Sequence, residues 1–437
     1  MDSNQQFAIT LALSVIIASG AIIVRRFRNG RLISLAGGLH ANTFISMGVG
    51  PLFYVLSPQY FDTERIDHAT VIQHALLSNG LFLLGYLIVI GLELMDRGSI
   101  SDQAIVRRLR GFSEIQIYFL FVLGSIGIIA VNLGLNTSGV GTLFNIIYLF
   151  IFPIVALVIV RLDNKRPSSW ATALFMIAVV GAYCLTSYWR SLSLVFGVSI
   201  LLGIAMKVRL QLRWTLFLSL FLVGWYIWLF PFLQLKKANA PTGATALFNT
   251  FIESQQMPIG LRMQESLGFL GLRTNGVREI GYLEAGLATN AVQLRWGESY
   301  KETLLQMIPR VVWPGKPSYN TSMNYELPRS LGLLGWDDTD TSSGVGLWAE
   351  AVWNLKGYFL LVYVPLLFGL MTWIDRLIWR ARLDMFFRWW MLTCLFYLSL
   401  QVLNLVNFVT LVMWTILLIY LYGRFFSLAF RERRESQ

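Results

Sequence analysis

Of the chain's 437 residues, 56% are hydrophobic and only 14% are charged. Soluble domains carry about 25% charged residues, so this chain cannot cover its surface in water, and its mean hydropathy of +0.59 points to lipid as the solvent. One polytopic membrane domain is expected in place of the two or three soluble domains that length alone suggests. Cys184 and Cys394 both sit in apolar runs. They read as small core residues and give neither a disulfide framework nor a cysteine-based metal site.

A membrane-crossing helix needs roughly 20 mainly apolar residues. Eleven stretches meet that need, near 7–24, 32–56, 71–95, 115–135, 143–161, 169–188, 191–206, 214–233, 351–374, 389–404 and 406–423. The first is followed, not preceded, by arginines, so it reads as a span and not as a removable signal peptide. The short turn at Asn404–Asn407 makes the last two spans an antiparallel hairpin. The expected fold is an all-α polytopic membrane protein with about 11 transmembrane helices. Eight lie in 1–233, a large polar loop fills 234–344, and three more helices and a tail fill 345–437.

Lys and Arg set the orientation, because basic loops stay in the cytoplasm. The first connection holds Arg25, Arg26, Arg28 and Arg31, and the third holds Arg97, Arg107, Arg108 and Arg110. The fifth holds Arg161, Lys165 and Arg166, and the seventh Lys207, Arg209 and Arg213. Arg376, Arg380, Arg382 and Arg388 follow the ninth span, and Arg424, Arg431, Arg433 and Arg434 lie in the tail. These six regions alternate correctly with eleven spans and hold 22 of the 35 basic residues. The net charge of +11 is therefore a topology signal and calls for no nucleic-acid partner. The N-terminus is expected outside, the C-terminus in the cytoplasm, and the 234–344 loop on the extracytoplasmic side.

That loop is rich in Gly, Pro, Asn and charged residues. Residues 258–272 and 280–308 are apolar enough for amphipathic or re-entrant helices, while Pro309, Pro314 and Pro317 end any helix and stiffen the chain. Arg273, Arg278, Arg295, Arg310, Lys316 and Arg329 lie here among Trp and Tyr, and Arg190 falls at the outer end of the sixth span. Arginine is a rigid bidentate donor matched to phosphate and carboxylate. The set therefore suits a lipid diphosphate whose charge must be stabilised as it leaves. Pairing within the loop, Arg278 with Glu279 or Arg295 with Glu298, is the structural alternative. Trp313 and its aromatic neighbours offer faces for sugar rings.

A hydroxyl nucleophile needs a base near it. Glu350 is the leading candidate, in the run Gly344–Asn354 where the chain re-enters the membrane and burial raises a carboxyl toward a useful pKa. Its structural alternative is a cap on the ninth helix or a pair with Lys356. Glu279, Glu284 and the Asp337–Asp340 cluster are further candidates. His40, His68 and His74 all fall outside the loop. No zincin spacing, Gly-Xaa-Ser-Xaa-Gly elbow or P-loop occurs, so ATP-driven chemistry is not expected. Few ionisable groups lie deep in the spans, which counts against a proton-coupled transporter.

The run Ile308-Pro-Arg-Val-Val-Trp-Pro-Gly-Lys-Pro317 is similar to the Ile-Pro-Arg-aromatic-Trp-Pro-(Asp/Asn/Gly)-Lys-Pro segment of bacterial O-antigen and exopolysaccharide repeat-unit polymerases (Wzy type). Gly346-Leu-Trp-Ala-Glu-Ala-Val-Trp-Asn-Leu-Lys-Gly357 resembles their Gly-Glu-aromatic-Asn-Xaa-Gly approach to the next helix, with the aromatic displaced and Lys356 breaking the usual Phe-Gly ending. The architecture matches over most of the chain, the motifs over about 25 residues.

The resemblance implies a GT-C-like membrane glycosyltransferase of the bacterial cytoplasmic (inner) membrane. It would polymerise undecaprenyl-diphosphate-linked oligosaccharide repeat units, passing the growing chain to the non-reducing end of the next unit. The sugar–diphosphate bond would supply the energy, with no cofactor, no nucleotide and no obligatory metal. Arg310 and Lys316 match the motif, and Glu350 matches its acid. Glu350 and Arg310 are then the catalytic candidates. Arg190, Arg273, Arg278, Arg295, Lys316 and Trp313 are the candidates for holding diphosphate and glycan. The partners expected are the lipid-linked oligosaccharide, membrane lipid, a chain-length regulator and a flippase. The related O-antigen ligases share architecture and donor but typically carry a loop histidine, which this loop lacks. A polysaccharide or lipid transporter is the alternative from another class.

Overall fold

A computed structural model of the protein describes residues 2–29, 31–56, 66–95, 114–132, 151–162, 167–186, 244–273, 276–306, 327–331, 346–381, 385–400 and 412–421. It also describes scattered positions between 196 and 235, and residues 308, 313, 315, 408, 409 and 423. Among the described residues every regular element is helical. Helix α1 (Ser3–Arg28) is followed by α2 (Leu35–Thr43), a π-helical segment (Phe44–Val49), α3 (Gly50–Leu56) and α4 (His68–Met95). Next come α5 (Glu114–Asn132), α6 (Ile151–Arg161) and α7 (Pro167–Thr186). The polar stretch supplies α8 (Ala244–Gln255), α9 (Ile259–Arg273), α10 (Gly276–Ala288), α11 (Glu298–Gln306) and the turn α12 (Leu327–Ser330). It leads into α13 (Leu347–Leu355), α14 (Leu360–Arg380) and α15 (Met385–Leu400).

Four segments are long and apolar enough to cross a membrane: Ser3–Arg28, Leu35–Leu56, His68–Met95 and Gly357–Arg380. Their surfaces are those of helices in lipid. Helix α4 buries Ser78, Asn79 and Tyr86 while Leu77, Leu84, Leu87, Ile88 and Leu92 face outward. Helix α14 likewise exposes Val362, Leu366, Leu370 and Leu377. Exposed leucine rows of this length are unstable in water and favourable in hydrocarbon. The chain is a helical membrane protein.

Local chemistry sets the ends. Asp2 accepts the Gln5 N–H at 2.7 Å while the Gln5 carboxamide accepts the Asp2 N–H, a capping box that starts α1. Arg25, Arg26 and Arg28 fill its last turn, where cations offset the helix dipole. Ser34 caps α2 through the Gly37 N–H at 3.0 Å.

The chain forms two compact units, Met1–Ser101 with Leu135–Leu143 and Leu270–Gln437, and Asp102–Gly134 with Phe144–Phe269. In the first, α4 is the hub, with α1, α10 and α14 packed along it and α15 packed on α2. Gly281 lets α10 lie against α4, because a Cβ there would stand 2.3 Å from the Val71 carbonyl oxygen. At the arginine-rich end of α1, Arg26 pairs with Glu93 of α4, both nearly enclosed. Arg26 also donates to Ser34 Oγ at 3.1 Å. Asp375 of α14 accepts the first N–H groups of α2, Leu35 at 2.9 Å and Ala36 at 3.1 Å. His40 Nδ1 meets the Tyr86 hydroxyl at 2.6 Å. In the second unit α6 packs on both α5 and α7. Arg262 closes the α8–α9 turn by donating to the Met257 and Gln255 carbonyls.

The ninth expected span, 351–374, is cut in two. Helix α13 ends at Leu355, Lys356 turns with φ 63° and ψ 162°, and the spanning segment runs from Gly357 to Arg380. Gly357 is wedged so tightly that a Cβ would strike Ser78 Oγ and Glu284 Oε1. The expected seventh and eighth spans, 191–206 and 214–233, lie largely outside the described residues.

Candidate functional site

The polar stretch wraps around α13. The Arg295 N–H donates to the Trp353 carbonyl at 3.0 Å, and the Trp353 indole N–H donates to the Gln293 carbonyl at 3.0 Å. The Gly297 N–H donates to Asn354 Oδ1 at 3.1 Å. A left-handed pair, Trp296 (φ 50°) and Gly297 (φ 88°), turns the chain into α11.

Inside this wrap Glu350 is fully buried. Ser299 donates to Glu350 Oε1 at 2.6 Å. Ser299 Oγ in turn accepts from Asn354 Nδ2 at 2.7 Å, and Asn354 Nδ2 also donates to the Glu350 carbonyl at 2.9 Å. Tyr300 stacks on Tyr363 with ring centroids 6.3 Å apart. Burial, helped by the Glu350 carboxylate, pushes the Tyr300 phenol upward.

Two more carboxylates lie on α10. Glu279 Oε2 accepts the Gly346 N–H at 2.7 Å, one residue before α13 begins. A Cβ on Gly346 would stand 2.5 Å from that oxygen, so a larger residue would push the carboxylate aside. Burial raises the Glu279 carboxyl to about 7, against the opposing pull of the Gly346 N–H and the Arg278 charge. Glu284 Oε1 accepts from Ser78 at 2.7 Å.

The basic candidates fall in different places. Arg295 pairs with Glu302 at 2.7 Å and Glu298 at 3.2 Å, and its guanidinium lies 5.0 Å from the Trp353 ring centroid. Its charge is offset by two carboxylates, as in the structural alternative. Arg278 lies over Tyr282, 5.2 Å from the ring centroid. Arg273 is the last residue of α9. Trp313 is exposed. Arg190, Arg310, Lys316 and the Asp337–Asp340 cluster lie outside the described residues. The structure therefore brings Glu350, Arg278 and Arg295 into one unit with Glu279 and Glu284. Ser299 and Asn354 were not among the candidates. Asn354 stands in the quoted motif, but nothing local marks Ser299 among the chain's serines.

Compared with known proteins, the chain matches no family model, no curated protein and no solved structure. Fold and site together define a helical membrane protein in which a polar segment folds onto the apolar bundle and encloses carboxylates there.

Proposed function

We propose that the protein is a glycosyltransferase that polymerises undecaprenyl-diphosphate-linked repeat units into O-antigen or exopolysaccharide at the outer face of the bacterial inner membrane. The reading has eleven spans, the N-terminus outside and the C-terminal tail in the cytoplasm. The observation that carries it is the packing of α10 and α11 onto α4 and α13, which gathers Glu279, Glu284 and Glu350 with Arg278 in a segment otherwise built to be polar. An inert loop has no need to bury one carboxylate fully and half-bury two more against a membrane bundle. In this reading Arg310 and Lys316 stabilise the leaving diphosphate, and Arg190, Arg273 and Arg278 hold the lipid-linked glycan. Arg295 orients the wrap, Trp313 stacks on sugar, and Glu350 organises the acceptor side.

The test is complementation of a polymerase deletion in the native host, reading glycan length on a gel for wild type and Arg310→Ala. A ladder from wild type and single repeats from the variant support the reading. Long chains that stay unattached in the deletion point to a ligase.

A transporter is the second reading, favoured by the buried Arg26, His40 and Asp375 and the half-buried Glu93 between α1, α2, α4 and α14. Intramembrane ionisable groups often mark ion or substrate paths. Loss of all lipid-linked glycan from the outer face in the deletion would select it.

A further inference from the structure

We infer that Glu279 takes the proton from the attacking hydroxyl of the acceptor sugar, and that Glu350 is a positioning residue that holds it there through α13. The inference rests on the polymerase reading above.

Three carboxylates stand near α13, and their surroundings separate them. Glu350 is completely enclosed, and Ser299 donates to it at 2.6 Å. Glu284 is tied to Ser78 beside the crowded Gly357. Glu279 is only partly covered. One of its oxygens is fixed on the Gly346 N–H, and Oε1 has no hydrogen-bond or ion-pair partner among the described residues. A base must be both held and open, and Glu279 meets the two conditions; Glu284 is half-buried too, but its carboxyl is turned to Ser78 beside the crowded Gly357.

The first turn of α13 supplies the holding: the backbone N–H of residue 350 donates to the Gly346 carbonyl at 2.9 Å, and the Gly346 N–H fixes Glu279, while the Glu350 carboxylate anchors that turn to the wrap through Ser299. Ser299 and Glu350 therefore fix the position of the helix turn whose Gly346 N–H holds Glu279. Among the elements packed on α10, α13 brings Glu350, α4 brings Val71 and Ser78, and the π-helical segment brings Met47. Helix α3 contains no charged residue, and on α10 itself Arg278 is the neighbouring cation. With its carboxyl raised to about 7, Glu279 is half-ionised near neutrality, where a general base works best.

The step balances. The acceptor hydroxyl gives its proton to Glu279 Oε1, and its oxygen bonds to the anomeric carbon of the donor glycan. The bond from that carbon to the diphosphate oxygen breaks, and the lipid diphosphate leaves with the electron pair.

The test uses membranes carrying the full chain, with the host's own lipid-linked single repeats as substrate, assayed from about pH 5 to 9. Gln at position 279 can still accept the Gly346 N–H, so Glu279→Gln should keep its gel-filtration profile. We expect Glu279→Gln to lower kcat at least about 100-fold with KM within about threefold, and formate to restore part of the activity of Glu279→Ala. The wild-type rate should fall below a midpoint near 7, the value of the Glu279 carboxyl. Glu350→Gln should lose rate yet keep that acid limb. Activity of Glu279→Gln within about threefold of wild type, an unchanged acid limb in that variant, or inactivity of Glu279→Ala without formate rescue overturns the assignment while the polymerase reading stands. Absence of polymer from wild type overturns both.

Discussion

Ser299 donates its hydroxyl to the Glu350 carboxylate at 2.6 Å, and this contact ties the polar stretch to the helix that precedes the Gly357–Arg380 span. The same hydroxyl oxygen accepts from Asn354 at 2.7 Å. One serine thus satisfies an acid and an amide that the chain has taken out of water. A buried carboxylate without such a donor is costly, so the wrap and α13 should behave as one folding unit.

Ser299→Ala removes the donor and leaves Glu350 enclosed. The expected loss is about 1–3 kcal/mol. Asn354→Ala should lose a similar amount, and the double variant should lose less than the two together, because both act through one network. Thermal unfolding in detergent, followed by tryptophan fluorescence, measures all three. Strict additivity would mean that the three side chains do not share a network.

Arg26 and Glu93 form the other enclosed contact, with side chains 6% and 12% exposed. Removing one partner of such a pair strands the other charge, so Arg26→Ala should cost about 3–5 kcal/mol. The paired change of Arg26→Met with Glu93→Leu should recover most of that, since neither charge is then left alone. Folded yield on gel filtration reads the order of the variants. A double variant no better than Arg26→Ala would show that the arginine acts instead through the bonds it donates to Ser34 Oγ and to the Arg31 carbonyl.

Much of this was legible in the sequence, for a physical reason. Hydrocarbon demands long apolar runs, and α1, the α2–α3 segment and α4 lie where those runs are. Glu350 stood out because an acid beside a membrane span needs explaining. Arg26 was readable only as a topology charge, since its partner Glu93 is 67 residues away and pairing depends on how helices pack. The break at Lys356 was hidden because composition stays apolar on both sides of it, and what bends the chain is the crowding of Gly357 against α4 and α10.

Lys356 sits at φ 63° and ψ 162°, a region used almost only by glycine. Holding a lysine there costs about 1–3 kcal/mol. Lys356→Gly should relieve that strain, less about 0.5–1 kcal/mol for the added freedom of the unfolded chain. A modest rise in the unfolding midpoint is expected, while Lys356→Val should lower it. If glycine lowers the midpoint, the exposed lysine chain contributes contacts that outweigh the strain.

Glu279 should give stability a pH dependence of definite sign. Its carboxyl lies at about 7 in the folded protein against 4.5 for the free group, chiefly because burial disfavours the charge. Between those values the folded chain binds more of the proton than the unfolded chain does. Stability therefore falls as pH rises through the window, and the contribution is fully present only below it. Glu279→Gln carries no titrating group, so its stability should lack this slope and exceed wild type most clearly above pH 7. Unfolding midpoints of the two proteins in detergent, taken in steps across the window, decide the point. Parallel curves would mean that water reaches the Glu279 carboxyl and keeps its charge solvated. The same water would also disqualify it as a base poised near neutrality, so this stability measurement bears on the catalytic assignment without any substrate.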